Sequence, residues 1–216
     1  MPNAHDKIIA EQAKTALGPL GFRRKGRSRI WLADHGWWLA VVEFQPSQWS
    51  KGCYLNVGAH FLWGKIEHLS FDYGGRVAEY EEFLSEEQFA VVTSRLAKCA
   101  WDEAQKLRQS FSSLEAAADI LVLHANSINA RMIGHPGWSV LNAGIACGLV
   151  GRLDDALTFF NQIVTDRNIE GSVLHSASKA MADAAVDLPK FKLAVALLIA
   201  ANRDRLKLPV NADVLA

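Results

Sequence analysis

Apolar positions divide the chain into two regimes. Up to about Glu79 they mostly alternate, and after it they recur every three or four residues. Before the alternation begins, Ile8, Ile9, Ala13, Ala16, Leu17 and Leu20 form a helical stripe, closed by Gly18-Pro19 and Gly21. Ile30 to Ala33 then reads as a short strand, "ADHG" as a tight turn and Trp37 to Gln45 as a second strand rich in aromatic and β-branched residues. "QPSQWSKG" interrupts before a third strand, Cys53 to Phe61. Its odd positions Cys53, Leu55, Val57 and Ala59 are apolar, and its even positions Tyr54, Asn56, Gly58 and His60 are more polar. A fourth short strand is expected around His68 to Phe71, with Gly74-Gly75 as a sharp turn.

The second regime is alanine-rich and helical. Ser85 with Gln88, and Ser112 with Glu115, have capping-box spacing. The first box opens a helix whose stripe is Phe89, Val92, Leu96, Cys99, Glu103 and Leu107. The second opens one with Leu114, Ala118, Leu121 and Ala125 on one face. Further helices are expected over Pro136 to Leu149, Leu153 to Thr165, Ser172 to Val186 and Pro189 to about Leu206, with Pro136 and Pro189 in first turns and Gly151 at a helix exit. The fold class is therefore α+β. A small, mostly antiparallel sheet packs with an N-terminal helix (residues 1–83), and an all-α helical-hairpin region follows (residues 84–216).

Two segments resemble known families. "LGPLGFRRKGRSRIW", "VVEFQPSQWSKGCYLNVG" and "HLSFDYGGRV" together resemble a bacterial domain-of-unknown-function family, number 4304. The matching positions are Gly21, Phe22, Arg24, Lys25 and Gly26, then Gln45, Ser47 and Trp49, then Tyr54, Asn56 and Gly58. The resemblance spans roughly Ala4 to Glu82. It implies a small α+β domain of bacterial origin and carries over no reaction and no catalytic residue. "PGWSVLNAGIACGLVGRLDDALTFFNQIV" resembles a tetratricopeptide helix pair, in which Gly144 and Ala146 allow close approach and Ala156, Leu157, Phe160 and Ile163 face inward.

Composition removes several functions. The 216 residues carry 23 basic and 23 acidic side chains, which argues against broad nucleic-acid binding. No stretch reaches the length of apolar chain that a membrane helix needs. Cys53, Cys99 and Cys147 are widely spaced and form no CxxC, which suits the reducing cytoplasm. GxGxxG, GxxxxGK[ST] and GxSxG are absent, and nothing calls for a cofactor.

The remaining candidates are few. The run Arg23, Arg24, Lys25, Arg27, Arg29 is either a solvated helix-to-strand turn or a contact for an acidic partner, with Arg24 and Lys25 foremost. Trp49, in a loop after Pro46, is a recognition residue or simple packing. Asn56 orients a turn or a contact. His60 and His68 could converge with Asp72, one histidine as general base, Asp72 orienting it and Asn56 donating a hydrogen bond. Their loose spacing makes no metal site. His135, before Pro136, suits a helix cap, and His124 and His175 suit structural roles. The balance favours a non-enzymatic bacterial binding or structural protein with a protein partner, toxin neutralisation being one version. The alternatives are an enzyme acting on a small molecule at the sheet edge through a His/Asp pair, and a weak nucleic-acid binder.

Overall fold

A computed structural model of the chain describes residues 4–64, 68–131, 137–210 and 215. The chain divides into two compact units, one of Met1–His60 with Leu69–Gln109 and the other of Phe61–His68 with Ser110–Ala216.

The first unit begins with α1, Ala4–Leu17, which buries His5, Ile9, Ala13 and Leu17 at four-residue spacing. A 3-10 turn, Gly18–Leu20, ends it, and Gly21 takes the left-handed conformation with φ +83° that favours glycine. Five strands follow: β1 Arg23–Arg24, β2 Ile30–Asp34, β3 Trp38–Gln45, β4 Gly52–Phe61 and β5 Tyr73–Glu82. They lie side by side in chain order, as an antiparallel meander.

Register sorts the side chains. Trp31 pairs with Val42 and Ala33 with Ala40, so these share a face with Trp38 and Phe44. On β4 the same face carries Cys53, Leu55, Val57 and Ala59, and every residue of this set is buried. The apolar odd positions expected on β4 are therefore the core. Both helices of the unit reach this side. Arg29, in phase with Trp31, pairs with Asp6 of α1. His35 stacks on Trp38 with ring centroids 4.3 Å apart and feels the charge of Arg108, which belongs to α2, Glu86–Ser110.

The opposite face is mixed. Leu39 and Val41 are buried, but beyond them lie Glu43 and Gln45, and from β4 Tyr54, Asn56, Gly58 and His60. This matches the polar even positions read from the sequence.

The fourth strand departs from expectation. It runs over Tyr73–Glu82, not His68 to Phe71, and Gly74-Gly75 lies inside it rather than at a turn. The pattern hid it because β5 is an edge strand with acidic residues on both sides, a usual defence of an open edge. Gly74 has φ +90°, and a Cβ there would come within 2.6 Å of the Val57 carbonyl oxygen. Only glycine allows that approach.

Helix α2 begins at the first expected cap. Gln88 N donates to Ser85 Oγ (3.2 Å), while Leu84 N donates to Gln88 Oε1 (3.2 Å). Its buried stripe is Phe89, Thr93, Leu96, Ala97, Ala100, Ala104 and Leu107. Ala97, Ala100 and Ala104 replace the expected Cys99 and Glu103, because small residues let the helix lie close.

The second unit contains α3 Leu114–Arg131, α4 Trp138–Leu149, α5 Leu153–Val164, α6 Val173–Ala184 and α7 Leu188–Arg205. Together they form a helical bundle. The cap of α3 is Ser113, whose Oγ accepts from Ala116 N, not Ser112. Pro189 occupies the first turn of α7, Asp187 accepts from Lys190 N, and Gly151 exits α4 with φ +84°. Pro136 and His135 lie outside the described residues.

Helix α4 is the axis of this unit, buried at every position from Val140 to Leu149. A Cβ on Gly144 would fall 2.5 Å from the Phe160 ring of α5, and one on Gly148 2.5 Å from Cζ of Phe191 in α7. Glycines here let two aromatic rings reach the α4 backbone. Leu157, expected to face inward, is only half-buried, while Phe159 is buried. The strand exit contributes as well. Phe61 stacks on Trp63, Trp63 Nε1 donates to Asn142 Oδ1 (3.0 Å), and Asn202 Nδ2 donates to the Leu62 and Gly64 carbonyls (2.7 and 2.8 Å). No helix among the described residues is long and apolar enough to cross a membrane.

Candidate functional site

The loop between β3 and β4 presents the most exposed large aromatic side chain of the first unit. Trp49 is 93% exposed. The loop beneath it is nonetheless fastened at several points. Trp49 N donates to Ser47 Oγ (3.1 Å). Ser50 Oγ donates to Tyr80 Oη, and Tyr80 Oη donates to the Lys51 carbonyl (2.7 Å). Phe83 N also donates to the Lys51 carbonyl (2.9 Å). Arg29 Nη1 donates to the Gly52 carbonyl (2.9 Å). The loop is thus tied to β5 on one side and to the start of β2 on the other.

Between this loop and α1 lies a cleft of about 300 Å³, at the lower end of the volumes that hold small molecules. His5, Arg29, Ser47, Trp49, Ser50 and Lys51 line it, with Pro46, Gln48 and Gly52. Asp6 holds Arg29 Nε at 2.7 Å. Burial keeps the His5 imidazole below its usual pKa, Arg29 and Lys51 push it further down, and Asp6 opposes them. Lys51 is exposed, and its ammonium has no hydrogen bond or ion pair among the described residues. The sequence pointed to Trp49 but not to this company. Arg29 was visible within the basic run, whereas His5 and Lys51 carry no local signal.

On the polar face next to the loop, Asn56 Nδ2 donates to Glu43 Oε2 and to Gln45 Oε1 (both 2.9 Å). Arg76 Nη2 donates to Gln45 Oε1 (2.9 Å), and its guanidinium stands 3.9 Å from the centre of the Tyr54 ring. Asn56 is 7% exposed. It joins β3 to its neighbour through a buried amide, and so holds Gln45, the residue from which the loop departs.

Arg24 and Lys25 lie elsewhere on the unit. Arg24 Nε donates to the Ser28 carbonyl (2.6 Å) and Nη2 to the Arg27 carbonyl (3.1 Å), so this guanidinium closes the β1–β2 turn. Lys25 is exposed at that turn.

His60 and Asp72 do meet. Nδ1 of His60 is 3.3 Å from Asp72 Oδ2 and 2.9 Å from Ser70 Oγ, and Ser70 Oγ donates to Asp72 Oδ1 (2.8 Å). The serine hydroxyl thus stands between ring and carboxylate, and Ser70 N also donates to His60 Nδ1 (3.4 Å). The His60 and Asp72 side chains are only 2% and 6% exposed. Asp72 N also donates to the Ala59 carbonyl (2.8 Å). This cluster binds the 70–72 segment against β4. A general base must reach a substrate proton, and the side chain of His60 is enclosed. His68 is exposed and makes no hydrogen bond among the described residues. Among those residues no group of three or more His, Cys, Asp or Glu side chains could hold a metal ion.

Burial pushes the Cys53 and Cys147 thiols up to about 11, far from the range of an activated nucleophile. Cys99 is also raised, by burial and by Glu103 and Asp102.

No curated protein matches the chain, and no solved structure matches it. Residues 13–116 match the family model described as Domain of unknown function (DUF4304). The match begins later than the Ala4 expected from the motifs and runs beyond Glu82, so it takes in the whole sheet and all of α2. A little under half of the chain, the part that builds the loop of Trp49, is thus similar to DUF4304.

Proposed function

We propose that this chain is a non-catalytic binding protein that recognises a protein partner through the Pro46–Lys51 loop. One observation carries the reading: Trp49 is 93% exposed on a loop whose ends are held by hydrogen bonds, Gln45 by Asn56 and Lys51 by Tyr80. Tryptophan is the residue type most enriched among those that dominate binding energy at interfaces. A loop fastened before the encounter loses less conformational freedom on binding. The enclosed His60–Ser70–Asp72 cluster and the high thiol pKa values are less suited to catalysis than to support.

The helical part, with its tetratricopeptide-like α4–α5 pair, is assigned to the same role as a second contact surface, since helix pairs present grooves for peptide segments. The free thiols of the chain, Cys53, Cys99 and Cys147, fit a protein working in the cytoplasm.

The test is affinity capture from a bacterial lysate with the wild-type chain and with Trp49→Ala. The reading expects a partner that the variant fails to retain while it unfolds at an unchanged temperature. Identical capture by both forms overturns it.

A further inference from the structure

We infer that the cleft under the Trp49 loop is a monoanion site that receives one carboxylate of the partner, from an Asp or Glu side chain, between Lys51 and Arg29. The inference rests on the binding role proposed for the loop and adds the chemistry of what it recognises.

The charges on the cleft decide the ligand. Arg29 and Lys51 each bring one positive charge, and Asp6 returns one negative charge to Arg29 through the 2.7 Å contact at Nε. Burial, with the charges of Arg29 and Lys51 beside it, favours the neutral form of His5. One net positive charge remains, which complements a carboxylate better than a doubly charged phosphate. The donors are in place too. Asp6 and Gly52 occupy Nε and Nη1 of Arg29, whereas Nη2 makes no hydrogen bond among the described residues. Arg29 cannot swing away, because two bonds fix its plane and its side chain is 12% exposed. The hydroxyl of Ser47 accepts from Trp49 N and keeps its own proton to donate. Lys51 supplies an exposed ammonium without a hydrogen-bond or ion-pair partner among the described residues. Trp49 is among the residues lining the same cleft, and its exposed indole beside it is suited to the methylenes that carry a side-chain carboxylate.

A held guanidinium with Nη2 to offer, an exposed ammonium and a hydroxyl around one opening suit the charge-assisted hydrogen bonds of a carboxylate. The exposed aromatic beside the opening favours a carboxylate attached to protein over a small inorganic ion.

The experiment follows the seven tryptophan indole N–H signals of the full chain by NMR at low ionic strength, with the Trp49 signal assigned by its loss in Trp49→Phe. Three probes are titrated: the blocked peptide acetyl-Gly-Glu-Gly-amide, its Gln counterpart, and inorganic phosphate. The Glu peptide is expected to shift the Trp49 signal saturably. The Gln peptide is expected to leave it in place, and Lys51→Gln to weaken the Glu peptide by roughly tenfold with the other indole signals unmoved. Equal shifts from the Glu and Gln peptides overturn the inference, as does tighter binding of phosphate or indifference to Lys51→Gln. In any of these cases the binding role still stands if Trp49→Ala loses the lysate partner and Lys51→Gln retains it.

Discussion

The guanidinium of Arg29 and the carboxylate of Asp6 meet at 2.7 Å, and the same guanidinium holds the Gly52 carbonyl at 2.9 Å. One side chain thereby fixes the first turn of α1, the approach to β2 and the start of β4. Arg29→Ala should cost about 2–4 kcal/mol, because it leaves a half-buried carboxylate and a carbonyl without their donor. Asp6→Asn should cost less, about 1 kcal/mol, since the amide oxygen can still accept. Urea unfolding of the three proteins checks the order. Equal stability of Arg29→Ala and the wild type would show that the clamp is idle.

Gly144 tests the closeness of α4 and α5. A valine there drives its side chain into the Phe160 ring and should destabilise the chain by about 1–3 kcal/mol. Phe160→Leu in the same molecule removes the ring edge, so the double variant should lose less than the sum of its parts. Strict additivity in thermal unfolding would place the strain elsewhere.

Asn56→Asp sets a carboxylate against Glu43 where an amide donated at 2.9 Å. The variant should be destabilised by about 2–3 kcal/mol at neutral pH and should recover part of this in mild acid, where one of the two carboxyls takes a proton. A loss independent of pH would assign the cost to geometry rather than charge.

Stability should fall on both sides of neutrality. His5, His35 and His124 resist protonation in the fold, burial being the leading cause for each. The unfolded chain protonates its histidines near 6.5 and takes up more protons, so stability is lost as pH drops through that value and below. On the alkaline side the unfolded thiols ionise near 9.0, whereas Cys53 and Cys147 hold their protons to about 11. Stability is therefore lost again between those values. Melting temperature against pH should show a plateau at about pH 7 to 8.5. His5→Phe should reduce the acid limb, and an unchanged limb would remove His5 from its cause.

Trp49→Ala should change unfolding free energy by no more than about 0.5 kcal/mol, because its side chain touches little. A large loss of stability would mean that the indole packs in solution, and the recognition role would fail with it.

The parts of the fold that could be read from the chain were those with a strict period. Strands β2 to β4 alternate because one face is core throughout, and Cys53, Leu55, Val57 and Ala59 announce it. Strand β5 could not be read. Its glycine pair mimics a turn, and its glutamates suit an edge with no buried side. The stripe on α2 was misplaced because Cys99 looks more apolar than Ala97 or Ala100, while close packing asks for small residues. At the candidate site, Trp49 stood out by its type alone. Its neighbours His5 and Arg29 come from distant positions and meet it only through register and helix docking, while Lys51, in the same loop, has no feature of its own to mark it. His60 and Asp72 were paired in advance, but their enclosure was not foreseen, since it depends on the 70–72 segment folding back along β4.

The hydrogen bonds of Trp63 and Asn202 carry a consequence for how the helical unit assembles. Trp63 reaches Asn142 across 79 positions of chain, and Asn202 reaches Leu62 across 140. A bundle of consecutive helices would ordinarily close by short-range steps and fold fast. Here the amide of Asn142, only 3% exposed, has its indole partner supplied by chain made long before the helices. A fragment starting at Ser110 would carry the helices but leave that amide stranded. On the ribosome the strand exit waits for α4 and then longer for α7, the helix whose contact closes the longer of the two loops.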